Sequence, residues 1–297
     1  MNWISPLLIG LAFLITSCQS KPTPEYDARI DGVLKPRRPA SLAYWEDKTI
    51  RGLKPSNYAE MVTALVLPPG ISLEMQQITL PGGRQSMKIK AKGRELFMGS
   101  AVPVSDDGYF LTAAHNLEGI SSLILLAPAK TKVPGVSRAR VVWKSGSVKD
   151  GPDLALIHVP LAPFAPMTMA QPATLEAGTP VLASGYASNK PGQSGGRILS
   201  LSKMEGAGDG ARWRRLGHSA PLAHGDSGGP LMGADGSLLG VNTAWAGRVV
   251  FPLGLNQIWG YQGLAVSPDP DWINSLIDQD RQQHPMKPRK SGKRAGS

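Results

Sequence analysis

The chain has 297 residues, of which 41% are hydrophobic and 18% charged, so it can bury a sizeable core and is not disordered as a whole. The formal net charge is +10, but no aromatic platform or recognition motif accompanies it, which argues against nucleic-acid binding. The single cysteine, Cys18, excludes an intramolecular disulfide, so the fold must depend on its core alone.

The first 17 residues are predicted to be an export signal. The mostly apolar run over residues 4–15 would form about 18 Å of helix, too short for a hydrocarbon core of about 30 Å. Residues 15–18 (ITSC) resemble the bacterial lipobox. That resemblance implies a lipidated Cys18 that holds the protein in the bacterial cell envelope, expected at the periplasmic face of the outer membrane. A plain export signal, with a secreted or periplasmic product, is the alternative.

Residues 18–56 are interpreted as a tether and N-terminal extension, because residues 19–40 are rich in proline and charge. A short helix is predicted over residues 57–67, where apolar residues recur at helical spacing. Asn57 and Glu60 form a possible capping box at its start. The apolar positions of this predicted helix are Tyr58, Met61, Val62, Leu65 and Val66.

From about residue 71 the pattern becomes one of short apolar runs separated by glycine, proline or Asp-Gly turns, which predicts an all-β sandwich or barrel. A C-terminal helix is expected around residues 272–277. Residues 286–297 are basic and lack acidic side chains, which is typical of a solvated, disordered tail. The predicted strands cover residues 97–104, 109–112, 122–126, 139–143, 154–159, 180–184, 198–202 and 238–242.

The run GDSGGP at residues 225–230 is a candidate nucleophile loop around Ser227. A serine hydroxyl needs a base, a group that orients the base and donors for the oxyanion, and flanking glycines let backbone N–H groups converge beside Oγ. The same run fits the Gly-x-Ser-x-Gly elbow of α/β-hydrolases. An elbow requires a following helix and a later catalytic histidine, whereas residues 231–242 predict a hairpin and only His284 follows.

Two further positions supply the partners that such a serine needs. His115 ends the apolar strand of residues 109–115, where a base is held rigidly but remains accessible. Asp153 opens the apolar strand of residues 153–159, and a buried carboxylate there needs a partner such as an imidazole N–H. The other histidines fit the role less well. They are His158 within a strand, His218 and His224 near the serine, and His284 near the C-terminus.

Residues 112–115 (TAAH), 153–156 (DLAL) and 225–230 resemble the three signature segments of trypsin-like serine proteases, in that family's order. Segments such as residues 236–244 are most similar to the bacterial HtrA-like branch. The resemblance implies two packed six-stranded antiparallel β-barrels with a C-terminal helix, a protease domain over residues 57–285 and a serine endopeptidase activity. It also implies His115 as general base, Asp153 as its orienting group, the N–H groups of Gly225 and Ser227 as the oxyanion hole, and substrate pairing along Thr243, Ala244 and Trp245.

The family's specificity pocket has its floor six positions before the nucleophile, which is Pro221 here. We therefore expect an apolar pocket for aliphatic side chains, with His218 as a possible polar wall. A PDZ module like that of many HtrA proteases is not expected, nor is any metal or cofactor. The expected partners are polypeptide substrates, and the oligomeric state is left open. The competing hypothesis is a protease-like binding protein with little or no turnover.

Overall fold

The computed structural model describes residues 43–67, 72–79, 85–92, 99–118, 122–126, 136–145, 151–159, 165–187, 192–250 and 257–285. The predicted signal, Cys18 and the basic tail lie outside these residues. Within them, no helix is long and apolar enough to span a bilayer.

The N-terminal part of the fold differs from the predicted helix over residues 57–67. Helix α1 covers Ala43–Glu46 and helix α2 covers Pro55–Met61. Proline suits the first turn of α2, so Asn57 lies inside the helix and the predicted capping box is wrong. The chain then turns into strand β1, Ala64–Leu67, which pairs on both sides. Leu65 and Val66 therefore lie in a strand, because tertiary pairing overrides their helical spacing.

The first barrel closes in the order β1-β4-β5-β8-β7-β6, and every neighbouring pair is antiparallel. Buried side chains such as Phe110 and Ile157 fill one of its core clusters. Strands β2 and β3 form a separate two-stranded hairpin. The strands are β2 Ser72–Thr79, β3 Gln85–Lys92, β4 Gly99–Pro103, β5 Tyr109–Ala113, β6 Ser122–Leu126, β7 Val136–Lys144 and β8 Leu154–His158.

The second half is a seven-stranded antiparallel sheet in the order β10-β9-β13-β14-β15-β12-β11. It curls, because β10 pairs with β12 as well as with β9. Leu216, Leu231 and Ala265 lie in its buried cluster. The strands are β9 Pro180–Gly185, β10 Gly192–Leu201, β11 Glu205–Gly206, β12 Arg212–His218, β13 Pro230–Met232, β14 Leu238–Val250 and β15 Gln257–Pro268.

A C-terminal helix, α3 (Pro270–Gln283), packs across the two halves. Asp269 caps it by accepting from the Asp271 N–H at 3.0 Å. Trp272 lies 4.9 Å from Trp143 of β7 and 6.5 Å from Trp213 of β12, measured between ring centroids. The predicted all-β fold of two antiparallel barrels with a C-terminal helix is thus confirmed, the second barrel being the curled sheet.

Part of the segment interpreted as tether and extension packs into the folded domain. Trp45 and Ile50 are buried in the same core cluster as Tyr58. The Tyr58 hydroxyl donates to the carbonyl of Gly236, in the turn between β13 and β14, at 3.2 Å. Trp45 and Ile50 therefore pack with Tyr58 in a core cluster that also contains residues of the second barrel, which carries the Ser227 loop.

Candidate active site

The loop around Ser227 lies between β12 and β13. Gly225 and Gly228 have φ values of 102° and 88°, a region that glycine enters without steric cost. The N–H groups of Asp226 and Gly229 donate to the carbonyls of Ala223 and Asp226, at 3.1 and 2.9 Å. The Asp226 carboxylate in turn accepts from the Ala223 N–H at 2.8 Å. Asp226 thus holds its own loop in a tight turn.

The first barrel is hydrogen-bonded to this loop through Ser100 of β4. The Ser100 N–H donates to the carbonyl of Ser227 at 2.8 Å, and its hydroxyl donates to the carbonyl of Gly225 at 2.7 Å. The Ser100 hydroxyl also accepts from the Tyr186 N–H at 3.0 Å. A single buried residue therefore holds the nucleophile through its backbone N–H and the glycine two residues before it through its hydroxyl. Sequence reasoning missed Ser100, because it lies unmarked within an apolar strand.

His115 and Asp153 meet at the end of two paired strands. Ala113, the last residue of β5, pairs with Leu154, the first residue of β8. His115 follows in a 3₁₀ turn and Asp153 immediately precedes β8. The His115 Nδ1 lies 2.7 Å from Asp153 Oδ2, and the His115 N–H donates to Asp153 Oδ1 at 2.9 Å. The side chains are 6% and 1% exposed, so this pair is shielded from water.

Asp153 has φ 52°, a left-handed conformation that is uncommon for a residue other than glycine. Its own carbonyl accepts from the Ala114 N–H at 3.0 Å. Aspartate tolerates this conformation better than most residues. The strained backbone aims the carboxylate back at His115, and such strain is often found at functional sites.

The 3₁₀ turn that carries His115 contacts the Ser227 loop across the boundary between the barrels. Asn116, the residue after His115, donates from Nδ2 to the carbonyl of Ser227 at 3.0 Å. The Ser227 hydroxyl is oriented toward the carbonyl of Thr243, at 3.4 Å. The structure thus joins His115 to Asp153 directly, and it joins the turn that carries His115 to the Ser227 loop through Asn116. Asn116, which sequence reasoning missed, ties the base to the nucleophile loop.

The predicted substrate strand lies directly beside this loop. The Gly228 N–H donates to the carbonyl of Asn242 at 2.7 Å, and the Asn242 N–H donates to that of Gly229 at 2.9 Å. Thr243 and Ala244 are buried and Trp245 is half-buried. Within the described strands, the pairing of β13 with β14 runs only from Leu238 to Val241.

The segment before the loop contains the predicted pocket residues. Pro221 is half-buried, and its carbonyl accepts from the Ser194 hydroxyl. His218 is fully buried on β12. Burial lowers the pKa of His218 to about 4, although the nearby Asn242 side chain and Ala220 backbone favour the protonated ring. His218 is therefore neutral at pH 7.

The remaining histidines lie elsewhere. His158 is buried against the Tyr109 ring, with its Nε2 3.2 Å from the Asp107 carbonyl. His224 is exposed in the loop, and His284 is exposed at the end of α3. Among the described residues, no group of three or more histidine, cysteine or acidic side chains is arranged to hold a metal ion.

Part of the chain is similar to known proteins. Residues 99–241 match the model of the trypsin-like peptidase domain. The uncharacterized protein y4bJ of Sinorhizobium fredii is 28% identical over 155 residues, which are 52% of this chain but only 23% of that protein. The chain thus spans about a quarter of this curated relative.

Solved structures of one protease are similar to this chain. The HtrA-type protease AlgW with a decapeptide has a TM-score of 0.50 and 22% identity, covering 75% of this chain and 66% of that one. A structure of its variant with a tripeptide has a TM-score of 0.48 and 22% identity, covering 77% of this chain and 62% of that one.

Proposed function

From the match of residues 99–241 to the trypsin-like peptidase domain, we propose that the chain is a serine endopeptidase with Ser227 as its nucleophile. The observation that carries the proposal is the double contact of His115 with Asp153 beside the Ser227 loop. A buried carboxylate that holds one imidazole nitrogen leaves the other nitrogen to act as a base.

In the proposed reaction His115 Nε2 takes the Ser227 hydroxyl proton as Oγ attacks the substrate carbonyl carbon. Asp153 keeps Nδ1 protonated and stabilises the imidazolium that forms. When the tetrahedral intermediate collapses, the C–N bond breaks and His115 gives its proton to the leaving amine. Water then attacks the acyl-enzyme, with His115 again as base, and releases the acid and Ser227.

The proposed oxyanion hole consists of the N–H groups of Gly225 and Ser227. The neighbouring amides of Asp226, Gly228 and Gly229 are engaged in bonds that shape the loop. The Gly225 carbonyl accepts from the Ser100 hydroxyl at 2.7 Å, which holds the backbone next to the Gly225 N–H. Fixed donors of this kind stabilise the developing charge without reorganisation.

Polypeptides are the proposed substrates, bound as an added strand along Thr243, Ala244 and Trp245. The AlgW structures contain a decapeptide and a tripeptide, which fits a peptide-binding role for this fold. A substrate strand in this place would run past the Ser227 hydroxyl, which is directed toward the Thr243 carbonyl.

Labelling with a fluorophosphonate probe tests the nucleophile directly. Wild type should be labelled and should cleave casein, whereas Ser227→Ala should do neither. His115→Ala and Asp153→Ala should lose cleavage while keeping the fold, as judged by circular dichroism. Folded wild-type protein that binds peptides but is neither labelled nor active would favour the alternative, a protease-like binding protein.

Attachment to the bacterial envelope through a lipidated Cys18 is proposed from the ITSC segment at residues 15–18. The prediction is that wild type incorporates radiolabelled palmitate and fractionates with membranes, whereas Cys18→Ser does neither. Deletion of residues 286–297 should change neither fractionation nor cleavage. Membrane fractionation of Cys18→Ser at the wild-type level would contradict this anchor.

A further inference from the structure

A hydrogen bond between the two barrels reaches the segment that carries Asp153. Arg215 of β12 donates from Nη2, at the end of its guanidinium group, to the carbonyl of Gly151 at 2.9 Å. Gly151 is buried and lies two residues before Asp153. Arg215 belongs to the second barrel, whereas Asp153 immediately precedes β8 of the first. The contact therefore crosses the boundary between the barrels on the side of the aspartate.

Glu205 of β11 fixes the same guanidinium group from its other side. The Arg215 Nε lies 3.2 Å from each carboxylate oxygen of Glu205. One of these oxygens also accepts from the Ser202 hydroxyl at 3.0 Å, and the other accepts from Trp213 Nε1 at 3.2 Å. A planar guanidinium group donates in fixed directions, so a carboxylate that holds Nε also sets where Nη2 points.

The backbone of Arg215 is also held in place. Its N–H donates to the Ser202 hydroxyl at 3.0 Å, and its carbonyl accepts from the Ser202 N–H at 3.0 Å. On the opposite edge of β12, Arg215 is paired with Val266 of β15. Trp213, two residues earlier on the same face of the strand, lies 6.5 Å from Trp272 between ring centroids. The donor to Gly151 is thus mounted on a well-supported strand.

The connection from Gly151 to Asp153 is stiff, because only Pro152 lies between them. The proline ring fixes its own φ near −65° and restricts the residue before it to extended conformations. A restraint on the Gly151 carbonyl is therefore passed on to Asp153 with little loss.

Asp153 needs such restraints, since its φ of 52° persists only where the surrounding contacts impose it. The first barrel supplies two of them. The Ala114 N–H donates to the Asp153 carbonyl at 3.0 Å, and the Leu154 N–H donates to the Ser145 hydroxyl at 2.9 Å. Both act at or after Asp153 in the chain. The bond from Arg215 acts before it, so the aspartate is held from both sides.

We propose that Arg215 is a positioning residue for the proposed reaction: anchored by Glu205, it holds the Gly151 carbonyl and so keeps the Asp153 carboxylate aligned with His115. The inference rests on the proposed function, because it concerns the group that orients the general base. Arg215 acts through Asp153 and has no contact with the reacting atoms.

Loss of this contact should lower kcat and leave KM almost unchanged. Strand β15 separates β12 from β14, so the proposed substrate strand does not depend on Arg215. A catalytic group displaced by about 1 Å can cost about 10²-fold in rate. A displaced carboxylate also stabilises the imidazolium of His115 less well. The acid limb of the kcat/KM profile should therefore move to lower pH, which loss of stability alone would not cause.

The test compares Arg215→Met with Arg214→Met in peptide hydrolysis from about pH 5 to about pH 9. Arg214 is the matched control, because it is the next residue on the same strand and is also half-buried. It donates to the carbonyls of Ser202 and Pro172 at 2.6 and 3.0 Å, neither of which belongs to the Asp153 segment. We expect Arg215→Met to lower kcat at least about tenfold with KM within about twofold, and Arg214→Met to change neither.

A lysine at each position gives a milder pair of variants. Arg215→Lys keeps the charge but lacks the planar fork that joins Glu205 to Gly151, so its kcat should lie between those of wild type and Arg215→Met. Arg214→Lys should keep the wild-type kcat. If Arg215→Met does not fold, this pair decides: a lower kcat for Arg215→Lys supports the positioning role, and equal values would overturn it.

Fluorophosphonate labelling of wild type keeps the two proposals apart. If wild type is not labelled, the proposed function fails and the role of Arg215 fails with it. With labelled and active wild type, a lower kcat together with a shifted acid limb for Arg215→Met supports the positioning role. An unchanged kcat, an unshifted acid limb or an effect on KM alone would overturn that role and leave the endopeptidase assignment intact.

Discussion

Asp153 contacts His115 twice, through Oδ2 to the imidazole Nδ1 at 2.7 Å and through Oδ1 to the backbone N–H at 2.9 Å. The first contact sets the tautomer of the ring, and the second fixes the backbone that carries it. Because Asp153 also has φ 52°, the residue at this position must tolerate a left-handed backbone conformation and must also present a carboxylate to His115. Two substitutions can separate them.

Asp153→Asn should reduce kcat/KM by about four orders of magnitude, because an amide does not hold the protonated Nδ1 as a carboxylate does. Its stability should remain close to that of wild type, since asparagine accepts the left-handed conformation. Asp153→Ala should lose the same activity and in addition about 1–3 kcal/mol of unfolding free energy. Urea unfolding and peptide hydrolysis measure the two effects. Near-wild-type turnover of Asp153→Asn would show that the pair does not serve catalysis.

Glycine is required at position 228 because neighbouring atoms leave no space for a side chain and because its φ is 88°. A methyl group there would overlap the Ser100 carbonyl oxygen and the Thr112 hydroxyl. Gly178 has nearly the same φ, 86°, but open space around it, which makes it a matched control. Gly178→Ala should cost only the conformational strain, about 1–2 kcal/mol. Gly228→Ala should cost clearly more and abolish fluorophosphonate labelling. Equal costs in urea unfolding would mean that the loop relaxes away from β4.

Ser100 links the first barrel to the proposed oxyanion loop, and we predict that Ser100→Ala lowers kcat more than it raises KM. The change leaves the Gly225 carbonyl and the Tyr186 N–H without their shared partner. Each buried group left in this way costs about 1–3 kcal/mol. A loop displaced by about 1 Å can lose 10²-fold in rate.

The control for this prediction is Ser237→Ala, because that hydroxyl donates to Asp235 at 2.7 Å within the same exposed turn. It should leave kcat and KM unchanged. Ser100→Ala with wild-type kcat and a raised KM would instead place Ser100 in substrate binding.

Local patterns predicted most of the strands and marked the three candidate catalytic residues, because each signal lies within a few neighbouring residues. Ser227 is marked by its glycines, and Asp153 by the apolar strand that it opens. Ser100 could not be found in this way, since its importance arises from β4 reaching across to the other barrel. The helical spacing of Leu65 and Val66 likewise could not reveal that both residues pair with strands more than 30 residues away.

Asp280 of α3 supports the strands that lead to the His115–Asp153 pair. It is 5% exposed, accepts from Arg140 of β7 at 2.7 and 2.6 Å, and accepts from the Tyr109 hydroxyl of β5 at 2.8 Å. Burial acts to raise the pKa of Asp280, but the hydrogen bonds from Arg140 and Tyr109 outweigh it and hold the pKa below its ordinary value of 3.8. The ionised form is thus favoured in the folded state.

Asp280→Asn should therefore lower the unfolding free energy at pH 7 by about 2–3 kcal/mol, as expected for lost hydrogen bonds to a charged group. A carboxyl whose pKa is depressed on folding stabilises the protein above its unfolded pKa, and the contribution disappears as the pH falls through the folded value. The difference between wild type and Asp280→Asn should accordingly shrink below about pH 4 in urea titrations. Asp278→Asn is the matched control on the same helix, because Asp278 is 64% exposed and pairs with Arg281 at the surface. It should cost less than about 0.5 kcal/mol at either pH. A difference for Asp280→Asn that stays constant from pH 7 to pH 3 would mean that the ionised carboxylate is not what Arg140 and Tyr109 stabilise.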